Sequence, residues 1–401
     1  MRRFMPLLVI MILAITMIYA EYTNKIDTEV VQNYYHQMLP EAKSFEPIGQ
    51  QPAVARALAA DGEFIAYLGI DESVGYGGPV LAGIIINPDG IIRNVVILEH
   101  KETPAYITKI TKAGYFRQYL RKSAQNSLEF ENDINGVTGA TLSTRAIANS
   151  VRNIAHTVAA KGLHVTPEKA PIKWQVGLRE IAVASIFIAS IILARYRAQA
   201  KYRSILLAAS VVIIGFWLNR PLSMAHISAF FQGYFPSFNN NLFWYIVMLG
   251  AIGPAIFTGK NLYCHWVCPF CGLQEAAHLI SKTNIPLGRS IQIMRKVKDM
   301  LLVGVLFLAF LPHNPSVSSF EPFGTIFGLN GSKYSWYLLF FILVASFFYR
   351  RFWCLAFCPV GAFLDKVALY SRNSKEWFNH RMKGQSTSQG AVKIGAIKNE
   401  N

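Results

Sequence analysis

Short runs of β-branched residues dominate the chain between residues 63 and 98. A β pattern begins at 63–70, and two further runs, 80–86 and 91–98, flank the sequence Asn-Pro-Asp-Gly at 87–90. An Asp-Gly pair between two such runs favours a tight turn, because both residues tolerate the positive φ that hairpin turns require. This part of the chain is therefore predicted to contain a β-hairpin.

Helical patterns lie on either side of the hairpin. Residues 30–60 are polar with scattered apolar positions, which indicates one or two short helices. Residues 106–122 follow Pro104, and proline is favoured at the start of a helix. These segments and the hairpin together predict an α+β domain.

Long apolar runs dominate the chain after residue 174. They lie at about 175–195, 204–220, 242–259, 300–312 and 335–350, and a sixth occupies 1–20 behind two arginines. Some are shorter than the roughly 20 residues that cross a bilayer, so the prediction extends them into their flanks. We predict a retained signal anchor at 1–20 and five further transmembrane helices. A soluble protein with buried helices is the alternative.

The charge distribution supports this topology rather than nucleic-acid binding. The formal net charge is +16. Residues 21–174 hold 15 of the 39 Lys and Arg and 16 of the 23 Asp and Glu, which leaves 24 basic and seven acidic residues elsewhere. Those basic residues cluster at alternate ends of the apolar runs. The positive-inside rule then places both termini inside and residues 21–174 outside, and no nucleic-acid partner is predicted.

All five cysteines lie in a duplicated region. Cys264 and Cys268 belong to a Cys-x3-Cys-Pro sequence that recurs 90 residues later at Cys354 and Cys358. Two further pairs repeat at the same offset: Ser281 with Ser371, and Glu275 with Asp365. This regularity predicts a duplicated structural unit.

Cys-x3-Cys-Pro is the end of the cysteine run that holds iron–sulfur clusters in bacterial ferredoxins. If the segments are helical, the two cysteines of each copy lie one turn apart on one face. We therefore predict that Cys264, Cys268, Cys354 and Cys358 hold one cluster, with Cys271 a spare or a fifth candidate. Redox thiols, a structural zinc site and buried free thiols are the alternatives, whereas disulfides are not expected facing a reducing cytoplasm.

A second candidate site lies at 133–153. Gly136 and Gly139 interrupt the chain, and a helical pattern follows from Arg145 onward. Ser143 or Thr144 is predicted to cap this helix. Because a helix N-terminus has unpaired N–H groups and positive potential, this hydroxyl-rich turn could bind a phosphate, although an ordinary capped helix is the alternative.

Residues 138–143, Thr-Gly-Ala-Thr-Leu-Ser, resemble the [S/T]-G-A-T-x-[S/T] motif of the FMN-binding domains in Rnf and Nqr flavoproteins and NosR. In that family the flavin phosphate is esterified to the threonine of the Gly-Ala-Thr triplet, which implies attachment at Thr141. The aspartate usual six residues earlier is Asn135 here, with Asp133 nearby, and Ser143 and Thr144 are rival hydroxyls. The segments GYGGP at 75–79 and HKETPAY at 100–106 also resemble the family. The implied flavin contacts are Thr138, Gly139, Ala140, Leu142, Ser143, Gly77, Gly78, Glu102 and Thr103.

The later part of the chain resembles the membrane domains of NosR and NapH, which carry two Cys-x3-Cys-Pro segments. The combination is similar to NosR, NirI and PceC proteins, and the short basic tail without cysteines is closest to the PceC type. The implied fold class is an α+β extracytoplasmic FMN-binding domain plus an all-α polytopic membrane domain of about six transmembrane helices. The predicted parts are an anchor at 1–20, an FMN-binding domain at 21–165, a linker at 166–174, a membrane domain at 175–371 and a basic cytoplasmic tail at 372–401.

The resemblance implies an electron-transfer component of the bacterial cytoplasmic membrane rather than a stand-alone enzyme. Its predicted cofactors are covalent FMN, an iron–sulfur cluster and quinone. Its predicted partners are the lipid bilayer, the quinol pool, an extracytoplasmic terminal reductase and a flavin transferase. A redox-sensing regulatory or maturation protein is the alternative. An ion-pumping subunit is less favoured, because the apolar runs lack acidic residues apart from Glu180.

Overall fold

A computed structural model of the protein describes most residues between 28 and 376. The ranges are 28–102, 104–168, 176–196, 200–236, 238–239, 241–281, 285, 290–318, 320–329 and 331–376, with five positions between 11 and 18. One compact unit consists of 1–176, 223–242 and 303–340, and the other consists of 177–222, 243–302 and 341–401. The predicted anchor, linker and basic tail lie largely outside the described residues.

A five-stranded antiparallel sheet forms the centre of the first unit, and each strand pairs with the next along the chain. The strands are β1 (Ser44–Gln50), β2 (Ala53–Leu58), β3 (Phe64–Val74), β4 (Pro79–Ile86) and β5 (Ile92–His100). The predicted hairpin is confirmed, since β4 and β5 pair from Val80 opposite His100 to Ile86 opposite Ile92. Gly90 in their connecting turn has φ +85°, a conformation that favours glycine.

Helices cover both faces of this sheet. Helix α1 (Thr28–Met38) packs over a cluster that includes Leu68 and Ile85. Helix α2 is Pro104–Lys112, and α3 (Thr141–Thr157) packs over the opposite cluster, which includes Ile84 and Val151. Every residue of β4 is consequently buried. Burial on both faces explains why this strand is continuously apolar, as buried parallel strands also are, instead of alternating with polar residues.

Close contact between α3 and the sheet occurs at Gly69. A Cβ atom at this position would lie 1.9 Å from Cγ2 of Ile154, so only glycine lets the helix lie directly on the β3 backbone. This contact sets the distance between α3 and the sheet. It thereby positions Thr141, which lies in the first turn of α3.

Two of the predicted helices are shorter than expected. Residues 30–60 contain only α1, and β1 and β2 follow it where a second helix was an option. The helix predicted at 106–122 ends at Lys112, because Gly114 takes a left-handed conformation with φ +65° and a 3₁₀ turn at Tyr115–Tyr119 follows. Glycine at this position therefore ends the helix instead of extending it.

Helices form most of the remaining described chain. They are α4 (Leu178–Arg195), α5 (Ala200–Ser210), α6 (Met224–Phe231), α7 (Leu242–Thr258), α8 (Pro269–Ser281), α9 (Ser290–Phe310), α10 (Phe323–Gly328), α11 (Lys333–Phe348) and α12 (Phe352–Ala356). Residues 359–376 are also helical. Wider π-helical turns occur at Val211–Trp217 and Tyr263–Val267.

The predicted polytopic membrane domain of about six transmembrane helices is wrong for the described residues, none of whose helices is both long enough and apolar enough to cross a bilayer. The apolar runs are divided among shorter helices. Helices α7 and α11 contain 17 and 16 residues, below the roughly 20 that a crossing needs. Helix α9 contains 21 residues, but charged side chains occupy several positions between 295 and 299.

Candidate functional site

The turn before α3 leaves the helix N-terminus without a side-chain cap. Gly139 has φ +78°, and Ala140 is the N-cap residue, whose methyl group cannot accept a hydrogen bond. The prediction that Ser143 or Thr144 caps the helix is wrong, because the helix already begins at Thr141 and both residues lie inside its first turn. The amide groups and positive potential at this end are suited to an anion.

The three hydroxyl groups of this first turn differ in accessibility. Ser143 and Thr144 are fully buried. Ser143 donates a hydrogen bond to Glu102, and Thr144 Oγ1 donates to the Ala140 carbonyl at 3.0 Å. Thr141 is partly exposed, and in the described part of the chain its hydroxyl has no hydrogen-bond partner. Thr141 is therefore the hydroxyl of this turn that is open to reaction.

Glu102 connects residues 75–78, which we call the glycine-rich loop, to α3. One carboxylate oxygen accepts the Tyr76 N–H at 2.7 Å and the other accepts the Gly77 N–H at 2.5 Å, in addition to the Ser143 hydroxyl. The side chain is 1% exposed, and these three donors offset the cost of removing its charge from water. A Cβ at Gly75 would lie 2.5 Å from this carboxylate, so the loop can approach only without a side chain there.

The other flavin contacts predicted from the sequence that the structure describes lie close to these groups. Gly77 and Gly78 are buried, Thr138 and Gly139 are exposed, and Leu142 is partly exposed. Ala140 is buried at the start of α3. Thr103 lies outside the described residues.

A lysine that the sequence did not indicate lies beside the turn. A Cβ at Gly139 would be 2.7 Å from Lys109 Nζ, so the ammonium group of α2 reaches this glycine. No sequence pattern links Lys109 to this turn, because 32 positions separate it from Thr141 and only the packing of α2 brings it close. Its charge complements a phosphate group at the N-terminus of α3.

A buried carboxyl, that of Glu321, lies near Tyr76 of the glycine-rich loop. The Tyr76 ring meets the His226 ring edge-on at 4.7 Å, and Ser223 hydrogen-bonds to both side chains. Glu321 Oε1 accepts the Met224 N–H at 2.7 Å, while its Oε2 is buried and, among the described residues, has no hydrogen-bond partner. Burial raises the pKa of Glu321 to about 7, an effect that the hydrogen bond from Met224 opposes.

In the second unit, the two Cys-x3-Cys-Pro segments share an equivalent backbone hydrogen bond, although the first is a π-helical turn and the second is α-helical. Cys264 lies in the turn Tyr263–Val267, and Cys354 lies in α12. The Cys268 N–H donates to the carbonyl of residue 263 at 2.8 Å, and the Cys358 N–H donates to that of residue 353 at 3.0 Å. These two bonds lie 90 residues apart, as the sequence duplication predicts.

The second cysteine of the first copy interrupts the helix. Cys268 has ψ 116° and Pro269 begins α8, whereas a continuous helix would have placed both cysteines on one face. In the second copy Cys358 is likewise non-helical and a helix begins at the following proline. The physical cause is the proline, whose ring excludes the preceding residue from the helical region and which is itself well placed at the first position of a helix.

Each of the two duplicated acidic residues pairs with a residue of the other copy. Asn261 of the first copy donates to Asp365 of the second at 2.8 Å. Arg351, the equivalent of Asn261, donates to Glu275, the equivalent of Asp365. Arg203 adds a second ion pair to Glu275 at 2.7 Å. Each copy is therefore held by the acidic side chain of the other.

The five thiols lie together in this unit. Cys268, Cys271 and Cys358 are buried, Cys264 and Cys354 are partly exposed, and the thiols of Cys271 and Cys354 are hydrogen-bonded. Burial raises the pKa of the Cys264 thiol well above its usual range, so a bound cation would be needed to hold it as a thiolate. Within the described ranges, no three His, Cys, Asp or Glu side chains lie close enough to hold a single metal ion. Cysteine thiolates are the usual ligands of iron–sulfur clusters, so this group of thiols fits such a cluster.

Family comparisons agree with both sites. Residues 75–156 match the FMN-binding domain, and residues 240–288 and 334–377 match a 4Fe-4S binding domain. The first match contains the glycine-rich loop, Glu102 and Thr141. The second contains all five cysteines. The chain thus has an FMN-binding domain and a 4Fe-4S binding domain.

Individual relatives are similar to parts of this chain. Protein NirI of Paracoccus denitrificans is 27% identical over 45% of this chain and 30% of its own length. Regulatory protein NosR of Pseudomonas aeruginosa is 26% identical over 46% of this chain and 28% of its own length. The methylamine utilization ferredoxin-type protein MauN of P. denitrificans is 35% identical over 31% of this chain and 46% of its own length. The chain therefore matches less than half of each relative, and the resemblance to NosR and NirI that the motifs indicated is confirmed.

The buried Glu321 carboxyl should make the stability of the protein depend on pH. Its folded pKa of about 7 exceeds the ordinary value of 4.5, so between these values the folded state retains a proton that the unfolded state loses. The free energy of unfolding should therefore fall as pH rises from about 4.5 to 7, by an amount on the order of 3 kcal/mol. The Glu321→Gln variant should lose less stability over this range in denaturant titrations at pH 5, 6, 7 and 8.

Glu63, an exposed carboxyl on the first unit, provides the control. The Glu63→Gln variant should follow the wild-type pH dependence. Identical pH profiles for wild type and Glu321→Gln would show that the folded protein does not hold the extra proton at Glu321.

Proposed function

We propose that the protein is an electron-transfer flavoprotein that holds FMN at the N-terminus of α3 and a 4Fe-4S cluster between its two cysteine segments. The observation that carries the proposal is the state of the α3 turn: Thr141 is accessible, its neighbouring hydroxyls are buried, and Lys109 lies beside Gly139. Bound FMN would supply one- or two-electron chemistry and the cluster would supply one-electron chemistry.

We further propose that FMN is joined covalently to Thr141. A phosphate ester at this hydroxyl would keep its negative charge at the helix N-terminus, where the uncapped amides and Lys109 can stabilise it. The Ser143 hydroxyl cannot take this role without breaking its bond to Glu102, and Thr144 is fully buried. Attachment would require a flavin transferase as the maturation partner.

The Thr141→Ala variant is expected to carry no covalent flavin. The protein should be expressed with a flavin transferase, denatured and digested, and the peptide containing residue 141 should be weighed by mass spectrometry. Wild-type peptide should show the added mass of FMN less water. The Ser143→Ala and Thr144→Val variants should keep this added mass, because neither hydroxyl is the proposed attachment point.

Thr157 lies at the other end of α3, and the Thr157→Ala variant controls for the loss of a threonine from this helix. The Lys109→Met variant keeps the reactive hydroxyl and should be flavinylated more slowly. Covalent flavin on the Thr141→Ala protein would disprove the assignment of the attachment point.

The proposed ligands of the cluster are Cys264, Cys268, Cys354 and Cys358. Each of them has an equivalent in the other copy, whereas the position that corresponds to Cys271 is Gly361. Both second cysteines precede the first turn of a helix, and the Gly361 N–H donates to Cys358 Sγ at 3.4 Å. Amides that point at a sulfur favour its thiolate form, which is the form that binds iron.

Replacing a proposed ligand should remove the cluster, whereas replacing Cys271 should not. After anaerobic purification, the Cys264→Ser and Cys354→Ser variants should lose iron, acid-labile sulfide and the paramagnetic signal of the reduced protein. The Cys271→Ser variant should retain all three. Wild-type iron content in both ligand variants would exclude these thiols as ligands, and zinc in place of iron would support the structural-zinc alternative.

The electron donor and the location of the protein are part of the same proposal. Large apolar side chains are exposed on the second unit, among them Phe257 at 77% and Leu249 at 69%. Exposed apolar surface of this kind favours association with lipid, so we propose that the protein is bound to the bacterial cytoplasmic membrane and that its FMN-binding domain faces outward. The proposed electron source is the quinol pool or a cytoplasmic-side donor, and the proposed acceptor is an extracytoplasmic reductase.

A cavity of about 470 Å³ in the second unit has a size suited to a small organic ligand. Its lining includes Leu262, Trp266, His265 and Asp365, which offer an apolar wall and polar groups for a quinol ring. Washed membranes that contain the flavinylated protein should therefore show bleaching of the flavin band when a short-chain quinol is added. Recovery of the protein in the soluble fraction without detergent would contradict membrane association, and an unchanged flavin band would exclude quinol as the donor.

A regulatory role is the second candidate function, because the matching relative NosR is named a regulatory protein. In that case the bound flavin would report redox state to a partner. The flavin-free Thr141→Ala variant distinguishes the two roles. Loss of electron delivery to a terminal reductase indicates electron transfer, whereas normal delivery with reduced expression or maturation of that reductase indicates regulation.

A further inference from the structure

Besides Cys271, whose equivalent is Gly361, the two cysteine copies differ at a second buried position that contacts Cys354. Residue 274 is glutamine, and its equivalent 90 positions later is Leu364. Both side chains are completely buried. Gln274 Nε2 donates to Cys354 Sγ at 3.1 Å, whereas a leucine has no group that could do the same for Cys264. The duplication thus has a hydrogen-bond donor to Cys354 in the first copy and a leucine at the equivalent position of the second.

The orientation of the Gln274 amide follows from its partners. Its oxygen accepts the Trp353 N–H at 2.9 Å, and a backbone N–H can only donate. The nitrogen must therefore face the other way, toward Cys354 and the Phe270 carbonyl, which lies at 3.4 Å. Ser346 adds a longer contact of 3.5 Å to the amide oxygen. The N–H that reaches the sulfur is consequently fixed by the peptide group next to the cysteine.

We infer that Gln274 raises the reduction potential of the iron–sulfur centre by donating an N–H to the sulfur of Cys354. Reduction of the centre adds negative charge to the cluster and its thiolates, so an N–H donor stabilises the reduced state more than the oxidised state. Burial of Gln274 strengthens this effect, because its amide is removed from water and the local dielectric is low. The inference rests on the proposed cysteine-ligated cluster and adds a positioning residue that is not one of its ligands.

The same contact makes the centre asymmetric. Cys354 receives a side-chain donor from the first copy, while in the described part of the chain the Cys264 thiol accepts no hydrogen bond. The iron bound by Cys354 should therefore carry more of the added electron density than the iron bound by Cys264. A purely structural role for Gln274 would predict no such difference.

The test is a potentiometric titration of the full-length protein, purified anaerobically and followed by electron paramagnetic resonance. The Gln274→Leu variant copies the residue of the second repeat. It should keep wild-type iron and sulfide content, but its midpoint potential should be lower by about 59 mV, which corresponds to a tenfold change in a one-electron equilibrium. The reverse change, Leu364→Gln, gives Cys264 the equivalent donor and should shift the potential upward.

Ser346→Ala is the matched control, because it removes the long contact to the Gln274 oxygen and leaves the N–H in place. Its midpoint potential should equal that of the wild type. An unchanged potential in Gln274→Leu with full cluster content would overturn the inference. If Gln274→Leu loses its cluster because the Trp353 N–H is left unpaired, Leu364→Gln decides: an upward shift supports the inference and no shift overturns it. Absence of iron and sulfide from the wild type would instead overturn the cluster assignment itself.

Discussion

Withdrawing a carboxylate from water is expensive, and both units of this protein are arranged around carboxylates whose cost is offset by several donors at once. Glu102, 1% exposed, accepts two loop amides and the Ser143 hydroxyl. An unpaired buried charge would cost several kcal/mol, so the three donors are held to one geometry. That geometry joins the glycine-rich loop to the first turn of α3. The positions of Gly77 and Thr141 are therefore linked through a side chain that itself need not touch a cofactor.

In the second unit the buried carboxylate is Glu275, and its equivalent Asp365 in the other copy is exposed. Glu275 is 8% exposed and receives Arg203 and Arg351, and Asp365 receives Asn261 and Lys298. Each acid belongs to one copy and its partner from the cysteine segment belongs to the other, so these contacts join the two copies. These contacts between the copies hold the two cysteine segments in fixed positions relative to each other. Four thiols from two short, proline-bounded segments are thereby brought together without a long rigid helix to carry them.

Local chemistry made part of this structure predictable. The Asp-Gly turn predicted the hairpin, because a tight turn depends on residues that are close in sequence. The 90-residue offset predicted the equivalence of the two cysteine segments, because the same spacing recurs in both. The start of α3 was misjudged because a hydroxyl pattern suggests a cap, while the fold uses the same hydroxyls inside the first turn. The length of the apolar helices was misjudged because apolar runs do not reveal where a helix ends.

Residues that act through tertiary contacts could not be predicted from the sequence. Lys109 reaches Gly139 only because α2 and α3 pack on the same side of the sheet. Glu321 is buried only because the segment that contains it packs against the start of α6. Neither residue belongs to a motif or a periodic pattern. Contacts of this kind depend on the arrangement of whole elements, which a single sequence constrains weakly.

The two copies of the duplicated unit share backbone contacts but differ in side chains. The equivalent hydrogen bonds at Cys268 and Cys358 are the same in both copies, since they involve only peptide groups. The side chains near the thiols differ, because Cys271 corresponds to Gly361 and Gln274 corresponds to Leu364. The proposed redox centre between such copies would have two unlike sides. Because added charge is greatest where donors stabilise it best, this difference would give electron entry and exit a preferred side without any change in the fold.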